Sequence, residues 1–279
     1  LAAAALSLPI EPSDAWKPTG GESPTIYLLW MLACHVGLPY FVLSSTGPLV
    51  QAWLSLRDES DRVYRLYALS NAGSLAALLS YPFVVEPFLS VADQSSTWSM
   101  LFLAFVLVQG FIAIGLFRVS DAVRPVTRHA RPDRRTTQRT EIERGRLIGW
   151  LALPALASTL LLVVTNHVCQ DVAVIPFLWV LPLSLYLISF IVCFDSPQWY
   201  RPKPIAAVTL LAIFAIETKH ILPDSVRLVS EVASHMTLLL GACLLCHGEV
   251  ARLKPPAAKL TLYYAMLSAG GALGGVIVA

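Results

Sequence analysis

Long apolar runs separated by short polar breaks dominate the chain. The runs fall at 25–56, 63–85, 98–119, 147–170, 174–194, 205–217, 229–248 and 260–279. A helix that crosses a bilayer needs about 20 consecutive apolar residues, at about 1.5 Å each. Most of the runs reach that length. The 205–217 run is short, and 25–56 is long and interrupted by Pro39 and Pro48. The pattern predicts an all-α fold, a polytopic transmembrane helical bundle of about eight spans.

The polar breaks differ in charge. The 118–146 loop carries Arg118, Arg124, Arg128, Arg131, Arg134, Arg135, Arg139, Arg144 and Arg146. Cationic loops stay on the cytoplasmic side of a membrane. With this loop there, alternation sends all but three of the 20 basic residues to the same side. Lys17, Lys219 and Arg227 are the three left outside. The loop has Pro125 and Pro132 but no aromatic residue. Its expected partner is the anionic headgroups of the lipid bilayer rather than nucleic acid. The expected organisation is a truncated helix end plus outer loop at 1–24, then a first helix group at 25–119. The arginine-rich loop follows at 120–146 and a second helix group at 147–279.

Composition agrees with this. Hydrophobic residues make up 56% of the chain and charged ones only 14%, against about 25% charge in a soluble domain. Mean hydropathy is +0.65. Cys34, Cys169, Cys193, Cys243 and Cys246 all fall in or beside apolar runs. An odd count in such places reads as small buried hydrophobes, not a disulfide framework. "LAAAALSLPI" reads as the tail of a helix whose start lies upstream, and "GGALGGVIVA" as a span that continues.

The candidate chemistry is sparse. Cys243-Leu-Leu-Cys246-His247 has the spacing of a c-type haem attachment. The charge asymmetry, however, puts it at the cytoplasmic end of a helix, the wrong side for covalent haem. A packed helix end, with His247 and Glu249 meeting headgroups or a loop, is the expectation. Near 165–176, Asn166, His167 and Asp171 crowd the opposite helix end. His167 and Asp171 are four apart, so a carboxylate can hold the imidazole proton there. Glu86 lies at another outer end. His35 lies in the broken 25–56 run, where freed carbonyls and Ser44, Ser45 and Thr46 could line a polar cavity. Asn71 reads as an interhelical hydrogen-bond partner. No G-x-G-x-x-G after a strand, P-loop, H-E-x-x-H or G-x-S-x-G is present. The pattern therefore implies no catalytic residue, no cofactor and no metal ligand set within these residues.

A weak internal repeat aligns "LYALSNAGSLAAL" at 66–78 with "YYAMLSAGGALGG" at 263–275. Tyr67 falls on Tyr264 and Gly73 on Gly270. Parallel repeats occur in transporter-like folds, and small residues at these spacings also suit close helix packing.

Four stretches together resemble one family. They are "GLPYFVLSSTGPLVQAW" (37–53), "YRLYALSNAGSLAALLSYPFVVEP" (64–87), "DVAVIPFLWVLPLSLYLISFIVCF" (171–194) and "CHGEVARLKPPAAKLTLYYAMLSAGGALGGV" (246–276). In order and extent they are similar to the membrane region of the bacterial fused major-facilitator/spermidine-synthase-like proteins. The resemblance implies a bacterial cytoplasmic (inner) membrane location. It also implies a soluble aminopropyltransferase-like domain after the membrane region, and any transferase activity would lie there. The family pattern keeps Cys246-His247-Gly248-Glu249 and lacks Cys243, which makes the C-x-x-C-H fortuitous. The expected function is a membrane region that anchors or serves that domain. Two alternatives stay open: an accessory subunit of a larger membrane complex, with other membrane subunits as partners, and a transporter-like module for a small solute.

Overall fold

The computed structural model describes residues 1–10, 12, 16, 20, 23–55, 62–122, 144–172, 178–256 and 259–279. Among these the chain is all-α. The helices are α1 (Ala2–Ala5), α2 (Pro24–Leu32), α3 (Leu38–Ser55), α4 (Arg62–Ser80), α5 (Glu86–Phe88) and α6 (Val91–Ala122). They continue with α7 (Arg144–Asn166), α8 (Val180–Asp195), α9 (Pro202–Glu217), α10 (Asp224–Arg252) and α11 (Leu260–Val278). Among the described residues, 6 helical stretches are long and apolar enough to cross a membrane. The runs expected at 174–194 and 205–217 form helices too, but α8 and α9 have only 16 residues each. At about 1.5 Å per residue each spans about 24 Å, short of a hydrocarbon core of about 30 Å.

Proline and π-turns shape the longer runs. One-turn π-segments occur at Ala33–Gly37, Tyr81–Val85 and His167–Val172. Such bulges add a residue to a helical turn and recur at functional sites. Ser45 and Thr46 donate to the carbonyls of Phe41 and Val42 at 2.8 and 2.9 Å. Ser44 likewise donates to the Phe41 carbonyl at 3.1 Å. The hydroxyls expected to line a cavity instead bond back to their own helix.

The chain divides into two units. The first comprises Leu1–Thr46 and Val85–Glu141. Here α1 meets α6, Trp98 stacks on Phe102 with ring centroids 5.2 Å apart, and Phe102 is buried. Phe41, Leu107 and Phe111 stay exposed. Apolar side chains turned outward along long helices are what a bilayer requires, since lipid is as apolar as they are.

The second unit comprises Gly47–Val84 and Ile142–Ala279. α11 packs along α7, α10 lies against α7, α8 and α9, and α4 packs on α8. Glycine sets the closest approach. A Cβ at Gly270 would lie 2.3 Å from the Leu151 carbonyl oxygen, and one at Gly274 2.4 Å from that of Ala155. The Gly270-x-x-x-Gly274 spacing thus lets two backbones touch in the manner of membrane helix pairs. The aligned repeat is only partly mirrored. Tyr67 and Tyr264 do meet, at 5.1 Å between rings, but a Cβ at Gly73 would meet open space where one at Gly270 would strike backbone.

Aromatic donors close the C-terminal end of α10. The last carbonyls of a helix have no partner within it. Tyr263 Oη donates to the Val250 carbonyl at 3.0 Å, Trp150 Nε1 to that of Leu253 at 3.0 Å, and Tyr64 Oη to that of Pro255. Three helices, α4, α7 and α11, therefore fix this end. Their starts lie beside the ends of α8 and α10, so Arg65, Arg146, Arg201, Arg252, Lys254 and Lys259 gather at one end of the unit. Lys219 and Arg227 lie at the other, where α9 ends and α10 begins.

Candidate functional site

α10 carries polar clusters near both ends. Its C-terminal cluster is built from Cys246-His247-Gly248-Glu249, and each residue has a separate structural task. Cys246 is buried in a core that also holds Cys243 and Leu239. His247 is fully buried, stacked on Phe190 with centroids 3.6 Å apart and edge-on to Tyr186. The Ser189 hydroxyl donates its one proton to the Tyr186 carbonyl at 2.6 Å. It therefore accepts from His247 Nδ1, 2.8 Å away, which leaves Nε2 as a bare acceptor. Among the described residues that Nε2 has no hydrogen-bond partner. The expectation that His247 meets headgroups or a loop is corrected, because the packing of α8 on α10 seals it in.

Gly248 is required by a neighbour. A Cβ there would lie 2.3 Å from the Tyr200 ring, which crosses the helix at this point. Tyr200 Oη then donates to Glu249 Oε1 at 2.7 Å, and Arg252 Nη1 donates to the same oxygen at 2.9 Å. Glu249 thus meets the α8–α9 turn, as expected. Burial raises the Tyr200 phenol above its ordinary range, and the Glu249 carboxylate beside it adds to that.

Beside this cluster opens a cavity of about 690 Å³. Tyr64 and Arg65 of α4, Cys193 and Phe194 of α8, and Gly248, Arg252 and Lys254 at the end of α10 line it, together with Asp195 and Tyr200. Arg65 Nε donates to the Asp195 carbonyl at 3.1 Å and faces its carboxylate at 3.8 Å. Lys254 sits over the Tyr64 ring, 5.0 Å from its centroid. The wall carries three cations, of which Arg65 is partly compensated by Asp195 and Arg252 by Glu249.

The N-terminal cluster of α10 holds Glu231 and His235, neither of which stood out in the sequence. His167, on the π-turn after α7, places Nε2 3.5 Å from Glu231 Oε1. Lys219 Nζ pairs with the same oxygen. The rings of His167 and His235 lie 4.7 Å apart. A signal was present: Glu231 and His235 are four apart on a helix and so share a face. What the sequence hid is that the end of α7 lies against them.

The remaining candidates are dispersed. His35, in the first unit, bonds the Met31 carbonyl at 2.9 Å and meets Trp16 edge-on at 5.1 Å. Asn71 donates to the Tyr67 carbonyl of its own helix at 2.8 Å. Glu86 and Asn166 are exposed. The Asp171 side chain lies outside the described residues, as do residues 123–143 of the arginine-rich loop. Cys193, Cys243 and Cys246 are free and buried, as small core residues are, but Cys169 is half-buried and Cys34 exposed, which corrects the expectation for Cys34. A comparison with family models finds no match, and neither the curated proteins nor the solved structures yield one.

Proposed function

We propose that this chain is the membrane-embedded region of a spermidine-synthase-like protein of a bacterial cytoplasmic membrane. On this reading it anchors or serves an aminopropyltransferase-like domain on the cytoplasmic side. One observation carries the proposal. Three of the four stretches that resemble that family, from three separate helices, converge on the single 690 Å³ cavity. The basic residues gathered at the same end of the second unit support a cytoplasmic orientation for its mouth. Its cationic wall suits an anionic group, such as an acidic surface of the soluble domain, better than a bare polyamine.

Membranes carrying the full-length protein test this through aminopropyl transfer to a labelled diamine. The proposal expects transfer in the parent and at least about a tenfold loss, about 1.4 kcal/mol, in Arg65→Glu and Arg252→Glu. Absent transfer, or transfer indifferent to both substitutions, would contradict it.

A second reading, a transporter-like module for a small solute, draws on a different observation. Glu231, His167 and His235 are ionisable groups set within long apolar helices, where such groups mark pathways. Saturable uptake into vesicles that depends on Glu231 would favour it.

A further inference from the structure

The cluster at the N-terminal half of α10 has the chemistry of a metal site. The ligand atoms of His167, Glu231 and His235 all lie within 4.8 Å of one another. His235 Nδ1 lies 2.7 Å from the Glu231 backbone carbonyl, which can only accept. Nδ1 must therefore carry the proton, and Nε2 is left with its lone pair. A ring N–H held by a backbone carbonyl is how metal-binding imidazoles are generally oriented. The separation of His167 Nε2 from Glu231 Oε1, 3.5 Å, is long for a hydrogen bond. It matches two ligands about 2.0–2.2 Å from a tetrahedral ion, which sit about 3.4 Å apart.

Two further features fit. A cavity of about 240 Å³ opens beside the cluster, lined by His167, His235, Glu217 and apolar side chains. It leaves room for a further ligand, and Glu217 adds a second carboxylate at its wall. Lys219 meanwhile holds the Glu231 oxygen that a metal would take. The lysine is the competitor, a built-in cation that neutralises the carboxylate when no metal is bound.

We propose that His167, Glu231 and His235 bind one divalent transition-metal ion of the zinc class, in exchange for Lys219 on the Glu231 carboxylate. Two imidazoles and one carboxylate select such an ion over magnesium or calcium, which prefer oxygen ligands throughout. The site lies about 27 Å along α10 from Glu249, at 1.5 Å per residue. The proposal is therefore independent of the cavity reading above.

The test uses the full chain, purified in detergent without a histidine tag and stripped with a chelator. Cobalt(II) is titrated while its visible d–d absorption is followed, with zinc(II) as displacing ion. The expected result is one cobalt per chain with a low-coordinate spectrum. Glu231→Gln and His235→Asn should each weaken binding at least about tenfold. Lys219→Met should tighten it, a change that no merely structural role for the lysine predicts. Helical circular dichroism and a monodisperse elution profile confirm that each variant is folded. No saturable uptake, uptake unchanged in Glu231→Gln, or binding no tighter in folded Lys219→Met would each overturn the proposal.

Discussion

His235 and His247 sit on the same helix, twelve residues apart in an apolar segment, and have opposite surroundings. His247 is enclosed: Phe190 covers one face, Tyr186 meets its edge and Ser189 takes Nδ1. His235 borders a cavity and shares a cluster with a carboxylate, a second imidazole and a lysine. The contrast shows that a histidine's role in a membrane helix is set by the helix packed opposite. α8 presents aromatic rings and one serine to His247. The π-turn after α7 presents His167 to His235 and Glu231.

The strongest way to break this comparison is to remove the support that both ends share. Gly270→Leu drives a side chain into the Leu151 backbone, which cannot move aside as a flexible side chain would. It should cost about 3 kcal/mol or more, seen as loss of monodisperse protein and of both clusters. Survival of either cluster in this variant would mean that the α7–α11 contact does not hold the unit together.

The two histidines can then be separated. His247→Ala should lower stability by about 2–4 kcal/mol, because it opens a void beneath Phe190. His235 is also buried but already borders a cavity, so His235→Ala should cost less, about 1–2 kcal/mol. Thermal unfolding in detergent gives both values, and equal losses would erase the distinction.

A finer cut concerns the closed end. Tyr200→Phe removes the Glu249 hydrogen bond at a cost of about 1 kcal/mol. The phenol's folded pKa is raised, chiefly by burial and then by Glu249. A raised pKa favours the neutral form in the folded state. That stability is fully present below the unfolded value of about 10 and is lost as pH rises above it. The gap between parent and Tyr200→Phe should thus stay constant from pH 7 to about 10 and shrink beyond. The smallest effect is expected at Asn71, whose amide donates to the Tyr67 carbonyl of its own helix. Asn71→Ala should change stability by no more than about 0.5 kcal/mol, and a larger loss would restore it as an interhelical link.

The helices were legible in the sequence because the signal is local: each apolar run forms helix over most of its described residues. The gathering of basic residues at one end of the second unit was legible for the same reason. The clusters were not, since each depends on which helix packs against which. Glu249 was rightly expected to meet a loop, but the partner, Tyr200, lies across a turn with no motif of its own. His247 was expected near the surface because Glu249, Arg252 and Lys254 follow it. One residue's rotation around the helix takes it into the core instead. Glu231 went unnoticed as an isolated acid near a helix start, and only the neighbouring helix end gives it meaning.

The proposed orientation sets the two ends of α10 on opposite sides of the membrane, with the basic cavity toward the cytoplasm. Single cysteines at Lys254, Thr137 and Lys219, in a chain whose native cysteines are replaced by alanine, test it with a membrane-impermeant maleimide on intact cells. The account predicts labelling at 219 from outside, and at 254 and 137 only after permeabilisation. Labelling of 254 and 219 from the same side, or of 137 on intact cells, would contradict it.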